Sequence, residues 1–134
     1  MTTMPTLPPV TGVTPYLSID ATAAIPFYVE AFGAEVLARM PAQDGKRVMH
    51  GHLRINGGTL LLADTFPEHG HPQQTPGAFT LHLQVDDADT WYARAVAAGC
   101  TPTMPVELMF WGDRYGQVRD PFGVMWSIGG PNKS

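Results

Sequence analysis

The chain has 134 residues, of which 44% are hydrophobic and 15% charged, and its formal net charge is −4. This length and composition indicate one folded domain with its own core and exclude a disordered chain. The eight Lys and Arg residues are too few and too scattered for a nucleic-acid-binding surface, and the single cysteine excludes an internal disulfide.

No apolar run approaches the roughly 20 residues that a membrane helix requires. Residues 1–13 lack the charged and apolar segments of a signal peptide. We therefore expect a cytoplasmic protein with neither a membrane nor a nucleic acid as partner.

The first half of the sequence predicts a strand, a helix and three further strands. Alternating apolar residues predict the first strand over Val13–Ile19, and helical spacing of apolar residues predicts a helix that ends at Gly33 with a left-handed cap. Pro26 fits this helix if Thr22 or Ala23 is its capping residue. The three strands are predicted at 35–40, 48–55 and 59–63, with an Asn-Gly hairpin turn between the last two.

The second half repeats this order of elements. Leu17-Ser-Ile-Asp20 recurs 66 positions later as Leu83-Gln-Val-Asp86, and in both copies a glycine stands 13 residues after the aspartate. The second copy predicts a strand at 79–85, a helix at 87–98 and strands at 103–109, 115–119 and 124–128. The repeat thus predicts two βαβββ modules within a single domain, over 13–64 and 79–129, joined by a Pro- and Gly-rich linker at 65–78.

Paired βαβββ modules resemble the vicinal oxygen chelate superfamily, which contains glyoxalase I, the bleomycin resistance proteins and extradiol dioxygenases. Met49-His-Gly-His52, Phe110-Trp-Gly-Asp-Arg-Tyr-Gly116 and Asp120-Pro-Phe-Gly123 are similar to motifs of its PhnB-like subgroup. The resemblance extends from Val13 to Gly129. It implies an α+β fold with curved mixed sheets and outer helices, and a homodimer whose grooves bind small molecules.

Strand alternation gives each predicted sheet one apolar and one polar face. Leu81 and Leu83 fall on the apolar face and His82 and Gln84 on the polar one. A polar face that also carries aromatic and apolar side chains predicts a small-molecule pocket, and a merely solvated face is the alternative. The same counting assigns Leu60 and Leu62 to the polar face and Met49 to the apolar face. The candidate ligand-binding residues are Tyr16, His50, His52, Arg54, His82, Gln84, Trp111, Arg114, Tyr115, Met125 and Ser127.

The segment from Trp111 to Gly116 has two interpretations. Its aromatic and guanidinium groups could contact a ligand at the rim of the pocket. Alternatively, Asp113 and Arg114 could pair to fix a strand connection while Trp111 fills the pocket. Asp120-Pro-Phe-Gly123 is interpreted as a turn.

The family resemblance implies metal ligands early in the first strand and late in the last strand of each module. By the repeat register, these positions are Thr14, Leu62, Thr80 and Ser127. Such side chains are poor ligands for Zn²⁺, Ni²⁺ or Fe²⁺, so we predict no metal and no cofactor. One alternative stays open, namely a metal site formed by His50, His52 and His82, with the carboxylate of Glu107 or Asp64 as a further ligand.

The sequence therefore predicts a metal-free binding protein that sequesters an aromatic or cationic antibiotic-like ligand. The alternative is a lyase or isomerase of the same fold that uses pocket histidines or a relocated divalent metal. A sensor without activity of its own is a third reading. The sequence leaves open whether the protein is an enzyme.

Overall fold

The computed structural model describes residues 9–133, and within that range the chain forms eight strands, two α-helices and one short 3-10 helix. In the first half these are β1 (Tyr16–Ser18), α1 (Ala21–Phe32), β2 (Glu35–Pro41), β3 (Val48–Ile55), β4 (Gly58–Ala63) and the 3-10 helix (Pro67–His69). In the second half they are β5 (Leu81–Gln84), α2 (Ala88–Ala98), β6 (Thr101–Leu108), β7 (Asp113–Arg119) and β8 (Met125–Pro131). The predicted α+β fold with two βαβββ modules is confirmed. Neither α-helix of the described part of the chain is long and apolar enough to cross a membrane.

Within the described residues, the first compact unit comprises 9–29 together with Ala34–Gln74. Its sheet has the strand order β1-β4-β3-β2, with β1 parallel to β4 and the other pairs antiparallel. The predicted hairpin turn is present, because Asn56 and Gly57 both have positive φ, 49° and 81°. Helix α1 lies directly on β3, where a Cβ added to Gly51 would come within 3.2 Å of Ile25 Cδ1.

Helix α1 begins earlier than the predicted cap at Thr22 or Ala23, so that prediction is wrong. The helix starts at Ala21, and the Asp20 carboxylate accepts a hydrogen bond from the Ala23 N–H at 3.3 Å. Aspartate is a better N-cap than alanine because its side chain satisfies a first-turn amide. Pro26 consequently lies beyond the first turn and inside the helix.

The second compact unit comprises Glu30–Gly33 and residues 75–133. Its sheet has the order β5-β8-β7-β6, with β5 parallel to β8. The Asp87 side chain caps α2 by accepting from the Thr90 N–H at 3.2 Å. On the sheet face that α2 covers, Trp126 and Ile128 of β8 are buried, as the alternation of that strand predicts, and Val118 of β7 is buried beside Trp126.

The predicted turn at Asp120–Gly123 is organised by a buried carboxylate. Asp120 is 3% exposed and accepts hydrogen bonds from the Phe122 and Val124 amides and from Trp126 Nε1, at 2.9, 3.0 and 2.9 Å. Gly123 has φ 89°, as a turn of this kind requires. This segment is architecture, in agreement with its interpretation as a turn.

The assignment of Leu60 and Leu62 to the polar face is wrong. Both are buried, at 4% and 0% exposure, and Leu62 pairs with Gly51 on the face that α1 covers. Leu61, which pairs with His52, lies on the polar face instead. Three consecutive leucines carry no alternation, so the sequence offers no signal for the correct register.

The assignment of Met49 to the apolar face is also wrong. Met49 is 47% exposed, although Leu53 and Ile55 of the same strand are buried as predicted. The pairing of β2 with β3 shifts between Met40 and Pro41, which marks a β-bulge next to Met49. A bulge rotates the residues beside it out of the regular alternation.

Candidate functional site

Four side chains form a hydrogen-bonded chain on the face of the second sheet opposite α2. Strand pairing places His82 of β5 directly beside Ser127 of β8, and His82 Nδ1 lies 2.7 Å from Ser127 Oγ. His82 Nε2 lies 2.8 Å from Gln84 Oε1. Gln84 Nε2 in turn donates to Asp113 Oδ2 at 3.2 Å. The chain therefore runs across three strands, from a buried hydroxyl to a carboxylate.

The carboxylate of Asp113 sets the direction of every hydrogen bond in this chain. An ionised carboxylate only accepts, so the amide nitrogen of Gln84 faces Asp113 and its carbonyl oxygen faces His82. That carbonyl can only accept, which places a proton on His82 Nε2. In the neutral imidazole, Nδ1 then accepts the hydroxyl proton of Ser127. The network thus fixes one tautomer of His82.

Aromatic rings lie beside this hydrogen-bonded chain. A Cβ added to Gly129 would come within 3.1 Å of His82 Cε1 and 3.4 Å of Tyr115 Cδ2, so the glycine leaves room for both rings. These rings are nearly parallel, with centroids 6.0 Å apart. The Trp111 indole packs edge-on against Tyr115 at 5.6 Å and is 51% exposed. The β5–β7–β8 face is the name that we give to the surface formed by His82, Gln84, Trp111, Asp113, Tyr115, Gln117, Met125 and Ser127.

Arg114 does not belong to this face. It neighbours Tyr115 in β7 and therefore projects to the opposite side of the sheet. There its Nε and Nη2 bind the two carboxylate oxygens of Asp89 in α2, at 2.7 and 3.1 Å, and this bidentate bond raises the pKa of Arg114. The proposed Asp113–Arg114 pair is therefore wrong, because Arg114 pairs with Asp89 and Asp113 with Gln84.

The first sheet has a polar face of its own. The Tyr16 hydroxyl lies 3.0 Å from His50 Nδ1. His52 is only 2% exposed, and burial, with smaller contributions from the nearby charges of His50 and Arg54, lowers its pKa. His52 is consequently neutral near pH 7. Arg54 makes a long contact of 3.9 Å with the exposed Glu35.

The residues at the expected metal positions do not fit a metal. Ser127 pairs with His82, and the equivalent residue in the first module is Leu61, which pairs with Tyr16, rather than Leu62. A leucine and a serine in two of these positions leave too few donors for a divalent ion. In residues 9–133, no three His, Cys, Asp or Glu side chains are close enough together to hold one. The alternative His50, His52 and His82 site thus gains no support.

Two further candidates have structural roles. The carboxylate of Asp64 is buried and accepts hydrogen bonds from the Val48 amide and the Thr22 hydroxyl, at 2.6 and 2.7 Å, so it holds α1 to β3. Cys100 is buried, and burial together with the charge of Asp120 raises the pKa of its thiol to about 12. A thiol with this pKa is protonated near pH 7 and is not a nucleophile.

A cavity of about 410 Å³ lies in the first unit, beside the β2–β3 hairpin. Its polar groups bind one another. Arg47 donates from Nε to Asp44 at 2.7 Å and from both terminal nitrogens to Glu68, and its guanidinium stacks 4.3 Å over the ring of Phe66. This cluster fastens the segment after β4 to the hairpin and leaves little polar capacity for a ligand.

Sequence reasoning missed two residues of the β5–β7–β8 face, Asp113 and Gln117. Both stand two positions from Tyr115, so the strand alternation that selected Tyr115 could have found them. Gln117 Nε2 donates to the Tyr115 hydroxyl at 3.0 Å and orients that ring. Asp113 orients Gln84, as described above.

Comparison with known proteins gives one family. Residues 14–128 match the family model described as the Glyoxalase/Bleomycin resistance protein/Dioxygenase superfamily. An uncharacterized protein of Mycobacterium bovis is 46% identical over 127 residues, which cover 90% of this chain and 83% of that protein.

Two solved structures are also similar. TnmS3, an antibiotic binding protein from Streptomyces sp. CB03234, is 28% identical with a TM-score of 0.65, over 92% of this chain and 98% of that one. The PhnB protein from Bacillus cereus, titled a putative 3-demethylubiquinone-9 3-methyltransferase, has a TM-score of 0.67 at 20% identity, over 90% and 98% of the two chains. The second likeness is one of fold alone.

Proposed function

Because the chain belongs to the glyoxalase/bleomycin resistance protein/dioxygenase superfamily, we propose that it binds an aromatic small molecule on the β5–β7–β8 face and releases it unchanged. One observation carries the proposal. The exposed indole of Trp111 and the ring of Tyr115 adjoin a chain of oriented polar groups on a single open face. Aromatic side chains supply stacking area, and fixed donors and acceptors select the orientation of a ligand.

Two considerations favour binding without turnover. Both ring nitrogens of His82 are already engaged by Ser127 and Gln84, so neither is poised toward a substrate. The positions at which the family resemblance implies metal ligands include Leu61 and Ser127, whose side chains are poor donors for a divalent ion. The antibiotic-binding relative TnmS3 is consistent with such a role.

The proposal predicts that a planar aromatic ligand loses affinity when the ring of Tyr115 is removed. Acridine is a suitable probe, and its binding can be followed by calorimetry. Tyr115→Leu should weaken binding about 5-fold, the order expected from the loss of one aromatic contact. Tyr115→Phe, the matched control, keeps the ring and should bind nearly as well as the unchanged protein. Equal binding by all three proteins would contradict the proposed site.

A lyase or isomerase is the second candidate, and one observation favours it. Ser127 and Gln84 hold the exposed imidazole of His82 in one tautomer, and exchange of either hydrogen bond for a substrate group would let that ring act as an acid or a base. Turnover of the hemithioacetal of methylglyoxal and glutathione separates the two candidates. Product formation that disappears in His82→Ala would replace the binding proposal with the enzymatic one.

A further inference from the structure

The carboxylate of Asp113 carries a negative charge that no cation of the described chain balances. None of the ion pairs within residues 9–133 includes Asp113. Its hydrogen-bond donor is the neutral amide of Gln84. The adjacent cation, Arg114, is held by Asp89 on the other side of the sheet. Asp113 is also partly shielded from solvent, so its field is screened less than that of a fully exposed carboxylate.

Aromatic rings flank this carboxylate on the same face. Asp113 and Tyr115 are two positions apart in β7 and therefore project the same way. Trp111 precedes Asp113 by two positions in the sequence. Its indole packs against the ring of Tyr115, with 5.6 Å between the ring centroids. Glu107 of β6, exposed and paired in register with Tyr115, adds a second negative charge at this edge. Carboxylates and the faces of aromatic rings both attract cations.

We infer that the ligand of the β5–β7–β8 face is an aromatic cation, with Asp113 as the residue that selects its charge. A protonated amine or amidinium would bind the Asp113 carboxylate while its aromatic part packs against Trp111 and Tyr115. Gln84 holds the carboxylate in position by its hydrogen bond. This inference rests on the proposed function, because it specifies the chemistry of the ligand at the same site.

Two probes of nearly equal size test the charge requirement. 9-Aminoacridine is protonated near neutral pH, whereas acridine is neutral there. Fluorescence titration should give about tenfold tighter binding of 9-aminoacridine, as expected for one charge-assisted contact. In Asp113→Asn the ratio of the two affinities should fall to about one, because the charge-assisted contact is lost. Glu35→Gln, an equal change of charge at an exposed residue of β2 in the first sheet, should preserve the advantage.

Each outcome supports or overturns the inference. Measurable acridine binding in Asp113→Asn shows that the variant retains the folded face. Equal affinity of the unchanged protein for both probes, or an advantage that survives in Asp113→Asn, would overturn the inference and leave the proposed function in place. Loss of both probes in Asp113→Asn would assign Asp113 to the structure of the face and overturn the inference as well. If the unchanged protein binds neither probe, the proposed function fails together with the inference.

Discussion

At the scale of single residues, direct side-chain bonds decide which groups serve structure and which remain open to a ligand. Asp64 and Asp120 are both buried and bound to backbone amides, whereas Asp113 is bound only by the amide of Gln84. Sequence alone cannot separate these aspartates, because the difference depends on which donors the fold brings near each carboxylate. Successive residues of a strand project to opposite faces of the sheet. The position of Arg114 next to Tyr115 could therefore have excluded Arg114 from the site.

Trp126→Phe should destabilise the second unit. It removes the Nε1 donor from the buried carboxylate of Asp120. It also trims an indole that packs 4.5 Å from the ring of Phe32, measured between centroids. Leaving a buried charged acceptor with one donor fewer should lower the free energy of unfolding by about 2 kcal/mol. Trp91→Phe, at a half-buried indole of α2, is the control, and urea unfolding of both variants makes the comparison. Equal losses would show that ring size alone matters.

At the scale of secondary-structure elements, the sequence predicted β3 with its correct bounds and the C-terminal ends of both helices, where Gly33 and Gly99 follow. These elements have clear signals, namely apolar periodicity and a terminal glycine. The register of β4 could not be read, because its three successive leucines satisfy either face. The bulge beside Met49 could not be predicted from the sequence, because it depends on how β3 pairs with β2.

The Arg47 cluster, formed by Arg47, Asp44, Glu68 and Phe66, should make the stability of the β2–β3 hairpin sensitive to acid. Hydrogen bonds from the backbone amides of Arg47 and Lys46, and then from the Arg47 side chain, lower the pKa of Asp44 from 3.8 to about 2. The side-chain bond from Arg47 lowers the pKa of Glu68 from 4.5 to about 2. Both folded pKa values lie below their unfolded values. The stabilisation is therefore complete above about pH 5 and is lost as the pH falls toward 2.

Thermal unfolding across this pH range tests the cluster. The melting temperature of the unchanged protein should fall as the pH drops from 5 to 2, and in Arg47→Met the fall should be smaller because Glu68 loses its partner. Part of the fall should persist, since the backbone amides still bind Asp44. Arg39→Met, an exposed arginine in the same unit, should leave the pH dependence unchanged. An identical pH dependence in Arg47→Met and the unchanged protein would contradict this role.

At the scale of the whole molecule, the internal repeat was the strongest signal in the sequence. It predicted two βαβββ modules, and each compact unit of the structure contains one mixed sheet of four strands in the same order. A repeat can be detected from sequence because the spacing between Asp and Gly recurs whether or not any tertiary contact is known. The site was harder to predict, because its hydrogen-bonded chain joins residues of β5, β7 and β8 that lie far apart in the sequence. The homodimer stays a prediction.

Chemical-shift mapping with acridine tests the central claim, that the β5–β7–β8 face is the binding site. The backbone amide signals of a nitrogen-labelled chain would be followed through a titration. We predict that the largest shifts occur at residues 82–84, 111–117 and 125–129, with smaller shifts around the Arg47 cluster and along α2. Largest shifts at the Arg47 cluster or on α2, with the β5–β7–β8 face unperturbed, would contradict the account.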